Sequence, residues 1–203
     1  MIIKQKELAI ILSSLKHILG VADMEQYQTP GEIAADALWI AHMQGDIEGK
    51  KVADLGCGNG ILGCGALLLG AKHVVFLDAD RKTLLLAKEN VHLVEEQLKR
   101  NFSYSFLTKD VAEFSGGVDC VVQNPPFGVQ QEHADRKFLF SAVQAKVAYS
   151  FHKLETRAFV EEFVKNHHKA AVLVKAYSFP LKWSKEFHTR PVYSIDVGLW
   201  RIS

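Results

Sequence analysis

The chain has 203 residues, 48% of them hydrophobic and 23% charged, with 24 basic against 23 acidic side chains for a net charge of +1. These values are ordinary for a soluble globular protein, and the length suits one domain with a substantial core. They exclude a surface that is basic all over; any basic patch has to be local, which neither requires nor rules out a nucleic-acid partner.

Apolar residues at Leu8, Ile11, Leu12, Leu15, Ile18 and Leu19 have helical spacing over residues 6–19, with Gly20 as a stop. Residues 25–30, Glu-Gln-Tyr-Gln-Thr-Pro, read as a polar loop in which Thr29 caps the next helix and Pro30 takes its first position. That helix runs to about Gln44, and residues 45–49 form a turn. An alternation then begins. It runs through strand 51–55, turn 56–60, apolar helix 61–69, strand 74–77 ending at Asp78, and amphipathic helix 81–98. Strand 102–107, a turn at Lys109-Asp110, strand 118–122 ending at Asn124, and helix 134–145 follow. Strand 147–150 and helix 155–167 precede two last strands, 171–177 and 192–200, whose long connection is consistent with an antiparallel pair.

Strands alternating with helices imply an α/β fold, a mostly parallel sheet covered on both faces. Ligands in such sheets lie outside the carboxyl ends of the strands. The segment 54–60, Asp78, Asp110 and the segment 124–127 all fall at those ends.

The three cysteines, Cys57, Cys64 and Cys120, form no C-x-x-C pair and read as reduced, small apolar residues of a cytosolic protein, with no metal site expected. Residues 1–7 carry Lys4, Lys6 and Glu7, too charged too early for a signal peptide. The longest apolar stretch, 61–71, is about half a membrane span. There is no repeat or low-complexity segment.

In Asp54-Leu55-Gly56-Cys57-Gly58-Asn59-Gly60 the glycines permit unusual backbone angles and close approach of a ligand, and the next helix offers the positive end of its dipole. Such turns also serve nicotinamide and flavin proteins. Asp78, about 20 residues on, is placed to accept from both hydroxyls of a ribose. Asp80 is its rival, although Asp80 suits a helix cap better. Asp110 reads either as a partner, with the backbone around Val111, for an adenine amino edge, or as a turn cap.

The segment Gln123-Asn124-Pro125-Pro126-Phe127-Gly128 combines an amide side chain, a carbonyl fixed by proline and a flat apolar ring. That set suits a planar amino group such as the exocyclic nitrogen of adenine, whose lone pair is delocalised into the ring. Hydrogen bonds from its N–H groups to the Asn124 side-chain oxygen and the Pro125 carbonyl draw it toward tetrahedral geometry, with Phe127 stacked on the base. Catalysis is then largely positioning and electrostatics, and the base has to be outside a duplex stack. A plain Asn-Pro turn needs neither the second proline nor the phenylalanine. His152 and Lys153 read either as contacts to phosphate or the target nucleotide, or as a solvated loop. Lys182, Lys185, His188 and Arg190 make a locally basic connection suited to RNA backbone. His167-His168 reads as a cation at a helix end.

With these positions assembled, the chain resembles the class I S-adenosylmethionine-dependent methyltransferases. Within them it is similar to the archaeal and eukaryotic methyltransferase-like group that forms N6-methyladenine in small-subunit ribosomal RNA. The specific marks are Glu25-Gln26-Tyr27-Gln28-Thr29, Asn-Pro-Pro-Phe-Gly at 124–128, Tyr-Ser-Phe-His-Lys at 149–153, and Phe187-His188. The resemblance implies a seven-stranded Rossmann-like sheet with a reversed last strand. It implies one methyltransferase domain over 1–203, with an N-terminal helical extension over about 1–44. S-adenosylmethionine is the implied cofactor, held by Gln26, Thr29, Asp54, Gly56, Gly58, Asn59, Asp78, Asp110 and Val111. Asn124, Pro125, Pro126 and Phe127 are the implied catalytic set. RNA is the implied partner in a cytoplasmic setting, and eukaryotic members of the group act with a small zinc-binding activator subunit. One departure is Gly63-Cys64-Gly65, where two glycines lower helix stability. The rival activities are methylation of guanine N2 in RNA or of a protein glutamine amide; a catalytically dead RNA- or protein-binding module is the rival outside enzymes.

Overall fold

The computed structural model describes residues 3–17, 28–127, 134–181 and 193–203. Helices α1 (Gln5–Ser13) and α2 (Gly31–Met43) precede β1 (Lys51–Leu55), α3 (Ile61–Leu68), β2 (His73–Asp78) and α4 (Arg81–Leu98). Then come β3 (Tyr104–Thr108), a 3-10 turn (Val111–Glu113), β4 (Cys120–Gln123), α5 (Ala134–Val143), β5 (Val147–Lys153), α6 (Arg157–Asn166), β6 (Ala171–Leu181) and β7 (Tyr193–Ile202). The strands form one seven-stranded sheet in the order β3-β2-β1-β4-β5-β7-β6. Pairings from β3 through β5 are parallel, and β7 runs antiparallel to both β5 and β6. This is the Rossmann-like sheet with a reversed last strand. Strand order switches direction between β1 and β4, so their carboxyl ends flank the crevice where such folds bind ligands.

Both faces of the sheet are covered, so successive residues of a strand are buried in opposite layers. Val52, Phe76 and Val122 pack with Leu8, Leu12, Leu38 and Val91 on the side of α1 to α4. Leu55, Leu77 and Val121 pack with Leu139, Val160 and Trp200 on the side of α5 and α6. Two polar clusters pin α2 and the turn after it. Asp36 accepts from Gln5 and Tyr177 and pairs with Lys175, while Asp46 accepts from Tyr149 and Arg201. Among the described residues no helix is long and apolar enough to cross a membrane.

Three local expectations are corrected. Helix α1 stops at Ser13 instead of continuing through residue 19, because Lys16 is held by two asparagines. Its N–H donates to Asn90 Oδ1 at 2.8 Å, and its carbonyl accepts from Asn90 and Asn59. Thr29 does not cap α2; Pro30 is the N-cap residue and no side chain caps the helix. Strand β5 continues past residue 150 to Lys153 because β7 pairs along its whole length, ending at Lys153 opposite Val197.

The paired glycines of α3 have a packing reason. A Cβ on Gly63 would collide with the Phe76 ring, and one on Gly65 with Leu38. The missing side chains let α3 lie close on β2 and α2, which offsets their cost in helix propensity. Cys57, Cys64 and Cys120 are buried free thiols, and burial raises the pKa of each.

Candidate active site

The loop after β1 turns through Gly56, Gly58 and Gly60, all at positive φ of 57–79°. It is held from both sides. The Cys57 N–H donates to the Leu77 carbonyl at 3.0 Å, and the Gly58 N–H donates to Asp78 Oδ2 at 2.9 Å. Asp78 Oδ1 accepts from the Asp80 N–H at 3.0 Å. Each carboxylate oxygen has two lone pairs, so Asp78 retains capacity for a ligand hydroxyl while it orders the loop. A Cβ on Gly58 would meet nothing within 4 Å, so space for a ligand lies on that side of the loop.

The cleft above these strand ends is lined by Thr29, Asp54, Gly56, Gly58, Asn59, Asp78, Asp110, Val111, Asn124 and Pro126 among others. Ten of the positions expected from the sequence therefore meet in one place. Asp80 is absent from the lining. It caps α4, accepting from the Lys82 N–H and the Thr83 hydroxyl, so of the two rivals only Asp78 lines the cleft. Gln26 lies outside the described residues, as do Gly128, Lys182, Lys185, Phe187, His188 and Arg190.

Asp54 is 2% exposed and accepts from the Gly63 N–H at 2.7 Å, joining the end of β1 to the start of α3. Burial pushes its carboxyl pKa well up, and the charge of Asp78 adds to the effect. Asp78 is raised too, chiefly by burial, against the lowering effect of its backbone N–H donors. Two carboxylates held out of water favour a cationic ligand.

Asn124 follows β4, and its Nδ2 donates to Thr29 Oγ1 at 2.9 Å. That bond uses the hydroxyl expected to cap α2 and fixes the orientation of the Asn124 amide. Pro126 lines the cleft, whereas Pro125 and Phe127 are buried and lie outside the lining. Phe127 is 7% exposed and packs edge-on against Phe179, with ring centroids 5.7 Å apart. Phe179 packs in turn on Phe151 at 5.5 Å.

Asp110 takes the capping role and lines the cleft as well. Its Oδ1 accepts from the Ala112 N–H, Glu113 completes a capping box, and Oδ2 pairs with Lys137 at 3.3 Å. Asn59 lines the cleft, yet its amide donates to the Lys16 carbonyl. Lys153 pairs with Glu155 at 3.2 Å. His167, read from the sequence as a cation at a helix end, lies at the end of α6, where its ring donates to the Phe163 carbonyl and stacks on the Phe163 ring.

His152 is the clearest correction. It is 2% exposed, inside β5, and cannot meet a phosphate. Gln123 Nε2 donates to Ser150 Oγ at 2.9 Å, and Ser150 Oγ lies 2.6 Å from His152 Nε2. The hydroxyl has a second lone pair and one hydrogen, so it can accept from or donate to His152 Nε2, and a neutral ring satisfies the contact in either tautomer. Burial lowers its pKa to about 3.

The sequence did not point to Gln28, Lys137 and Phe138 as lining residues. Phe138 on α5 lies against Gly56, where a Cβ would come within 2.8 Å of its ring. Gln123 Nε2 holds that stretch of α5 by donating to the Phe138 carbonyl at 3.1 Å. Only Gln28 had a local signal, its place beside Thr29. The others reach the cleft through packing of α5 on β5 and on the 3-10 turn after β3.

Residues 33–169 match the family described as Methyltransferase small domain. The chain is 36% identical to an uncharacterised protein of Methanocaldococcus jannaschii, over 98% of this chain and 94% of that one. It is 33% identical to the rRNA N6-adenosine methyltransferase Mettl5 of Drosophila melanogaster, over 88% of this chain and 85% of that protein. Among solved structures, a candidate RNA methyltransferase from Pyrococcus horikoshii has a TM-score of 0.86 at 40% identity, covering 100% of this chain and 98% of that one.

Proposed function

The chain belongs to the methyltransferase small-domain family of S-adenosylmethionine-dependent enzymes, and on that premise we propose that it methylates the exocyclic nitrogen of an unpaired adenosine in small-subunit ribosomal RNA. The observation that carries this reading is Asn124, held by Thr29 at the end of β4 in the same cleft as Asp78 at the end of β2. The name of the Drosophila relative supports the same acceptor.

The cleft fits the cofactor. Its glycine loop leaves open space at Gly58, and its buried carboxylates Asp54 and Asp78 suit a cation. When bound, S-adenosylmethionine supplies a methyl group on a positively charged sulfur. Asp78 accepts from the ribose hydroxyls, and the backbone of Gly56 and Gly58 permits close approach. Val111 and Asp110 border the nucleoside end. At the acceptor, the Asn124 side-chain oxygen and the Pro125 carbonyl accept from the amino N–H groups and turn the lone pair out of the ring plane. Phe127, expected from the sequence to stack on the base, is instead buried edge-on against Phe179 outside the lining, where it backs the Asn-Pro-Pro segment. Its neighbours order the amide, and positioning carries most of the rate.

The partner is RNA, in a cytoplasmic setting, with 1–203 acting as one domain. The small zinc-binding activator of the eukaryotic group is a further partner proposed from the resemblance alone. The test is incubation with labelled S-adenosylmethionine and small-subunit ribosomal RNA, followed by mass spectrometry of nucleosides. N6-methyladenosine is expected. N2-methylguanosine, or label in protein only, would overturn the reading.

A further inference from the structure

Gln28 lines the cleft beside Thr29. Its Oε1 lies 2.8 Å from His17 Nδ1. An amide oxygen only accepts, so His17 Nδ1 carries the hydrogen and the bond locks the amide's orientation. The other end, Nε2, is buried and has no hydrogen-bond partner among the described residues. A buried donor without an acceptor is costly, and it persists where a ligand supplies the acceptor.

The neighbours indicate which part of a ligand that is. Asp78, the acid for the ribose, ends β2, while Thr29 bonds Asn124 at the end of β4, with β1 between them. A methyl donor that reaches Asn124 places its nucleoside toward β2 and β3 and its amino-acid portion toward Thr29 and Gln28. That portion ends in a carboxylate, a group that only accepts. Asp54 and Asp78 repel it, and Lys137, a cation of the lining, is paired with Asp110 beyond β3. Gln28 Nε2 is a buried donor of the same lining without a partner among the described residues.

We propose that Gln28 Nε2 donates to the carboxylate of the cofactor's methionine portion, and that His17 is the positioning residue that turns the amide toward it. The proposal rests on the cofactor assignment and not on the identity of the acceptor.

Titration calorimetry without RNA tests it, using two ligands that share adenine, ribose and sulfur. S-adenosylhomocysteine carries the amino-acid portion; 5′-methylthioadenosine lacks it. Gln28→Leu is expected to weaken S-adenosylhomocysteine about tenfold, the scale of one hydrogen bond, and to leave methylthioadenosine unchanged. His17→Ala should reproduce part of that ligand-selective loss, and His17→Asn, whose amide can still donate to Gln28, should restore it. Equal weakening of both ligands, or unchanged S-adenosylhomocysteine affinity in Gln28→Leu, would overturn the proposal. The second result with slower transfer to RNA would reassign Gln28 to the acceptor. A wild-type protein that bound neither ligand would instead sink the cofactor assignment, and the proposal with it.

Discussion

Asn124 and Thr29 are 95 positions apart in the chain, and their side chains meet in a 2.9 Å hydrogen bond from Nδ2 to Oγ1. The bond makes the orientation of the proposed catalytic amide depend on the N-terminal segment, although neither motif requires the other.

Thr29→Val removes the hydroxyl and keeps the shape. Single-turnover transfer to RNA should slow about tenfold, the scale of one lost hydrogen bond, and Thr29→Ser should recover it. Asn124→Ala should abolish most transfer while cofactor affinity stays close to wild type. A Thr29→Val enzyme with unchanged turnover would show that the bond does not orient the reacting group.

The two buried carboxylates predict opposite effects on stability and binding. Asp54 and Asp78 have raised folded-state pKa values. Their charged forms therefore cost stability at neutral pH, and that cost is relieved as pH falls through the folded values. Asp54→Asn should raise the melting temperature of the ligand-free protein at pH 7 by a few degrees, while its amide oxygen still accepts from Gly63. The same change should weaken S-adenosylmethionine, because a cation loses its counter-charge. Asp78→Asn should weaken it by about 1.5–3 kcal/mol, the scale of a hydrogen bond to a charged group. Cofactor affinity in the wild type should begin to fall on acidification above the ordinary carboxylate range. Calorimetry and thermal melts across pH 4–8 separate these outcomes.

His152 sets an acid limb for the fold. Its pKa is about 3 when folded against 6.5 unexposed to the fold. Between those values the unfolded chain holds a proton that the folded one does not, so stability drops as pH falls below 6.5. The slope from this group is about 1.4 kcal/mol per pH unit, or about 2 kcal/mol between pH 7 and 5. His152→Gln cannot titrate, and its urea-unfolding free energy should lose about that much less over the interval. Identical acid limbs in the two proteins would mean that the ring is not held neutral.

Gly63→Ala sets helix propensity against packing. Alanine favours the helix by about 1 kcal/mol, yet its Cβ collides with the buried Phe76 ring. Overpacking costs typically about 1–3 kcal/mol, so the variant should unfold at lower urea concentration than wild type. A stabilised variant would show that Phe76 can move aside freely.

The alternation of strands and helices was legible in the sequence because hydrophobic period and turn residues are local properties. Strand β1 and helix α4 begin and end where their patterns do. The glycine loop, Asp78 and Asn124 were legible for a related reason: in a parallel sheet every strand's carboxyl end faces the same edge, so ends read singly still converge. Partner choice was not local. Thr29 can cap a helix or accept from Asn124, and only the approach of β4 decides between them. His152 reads as a polar residue after a strand until β7 pairs alongside β5 and buries it. Helix α1 keeps its apolar spacing to Leu15, but Asn90 and Asn59 take the backbone of Lys16 and end it. Phe138 and Lys137 reach the cleft because α5 packs on β5 and on the 3-10 turn after β3, and Gly63 is glycine because of a ring on β2. A polar side chain or a glycine is compatible with several local structures; the tertiary fold selects one by supplying the distant partner, or the distant obstacle.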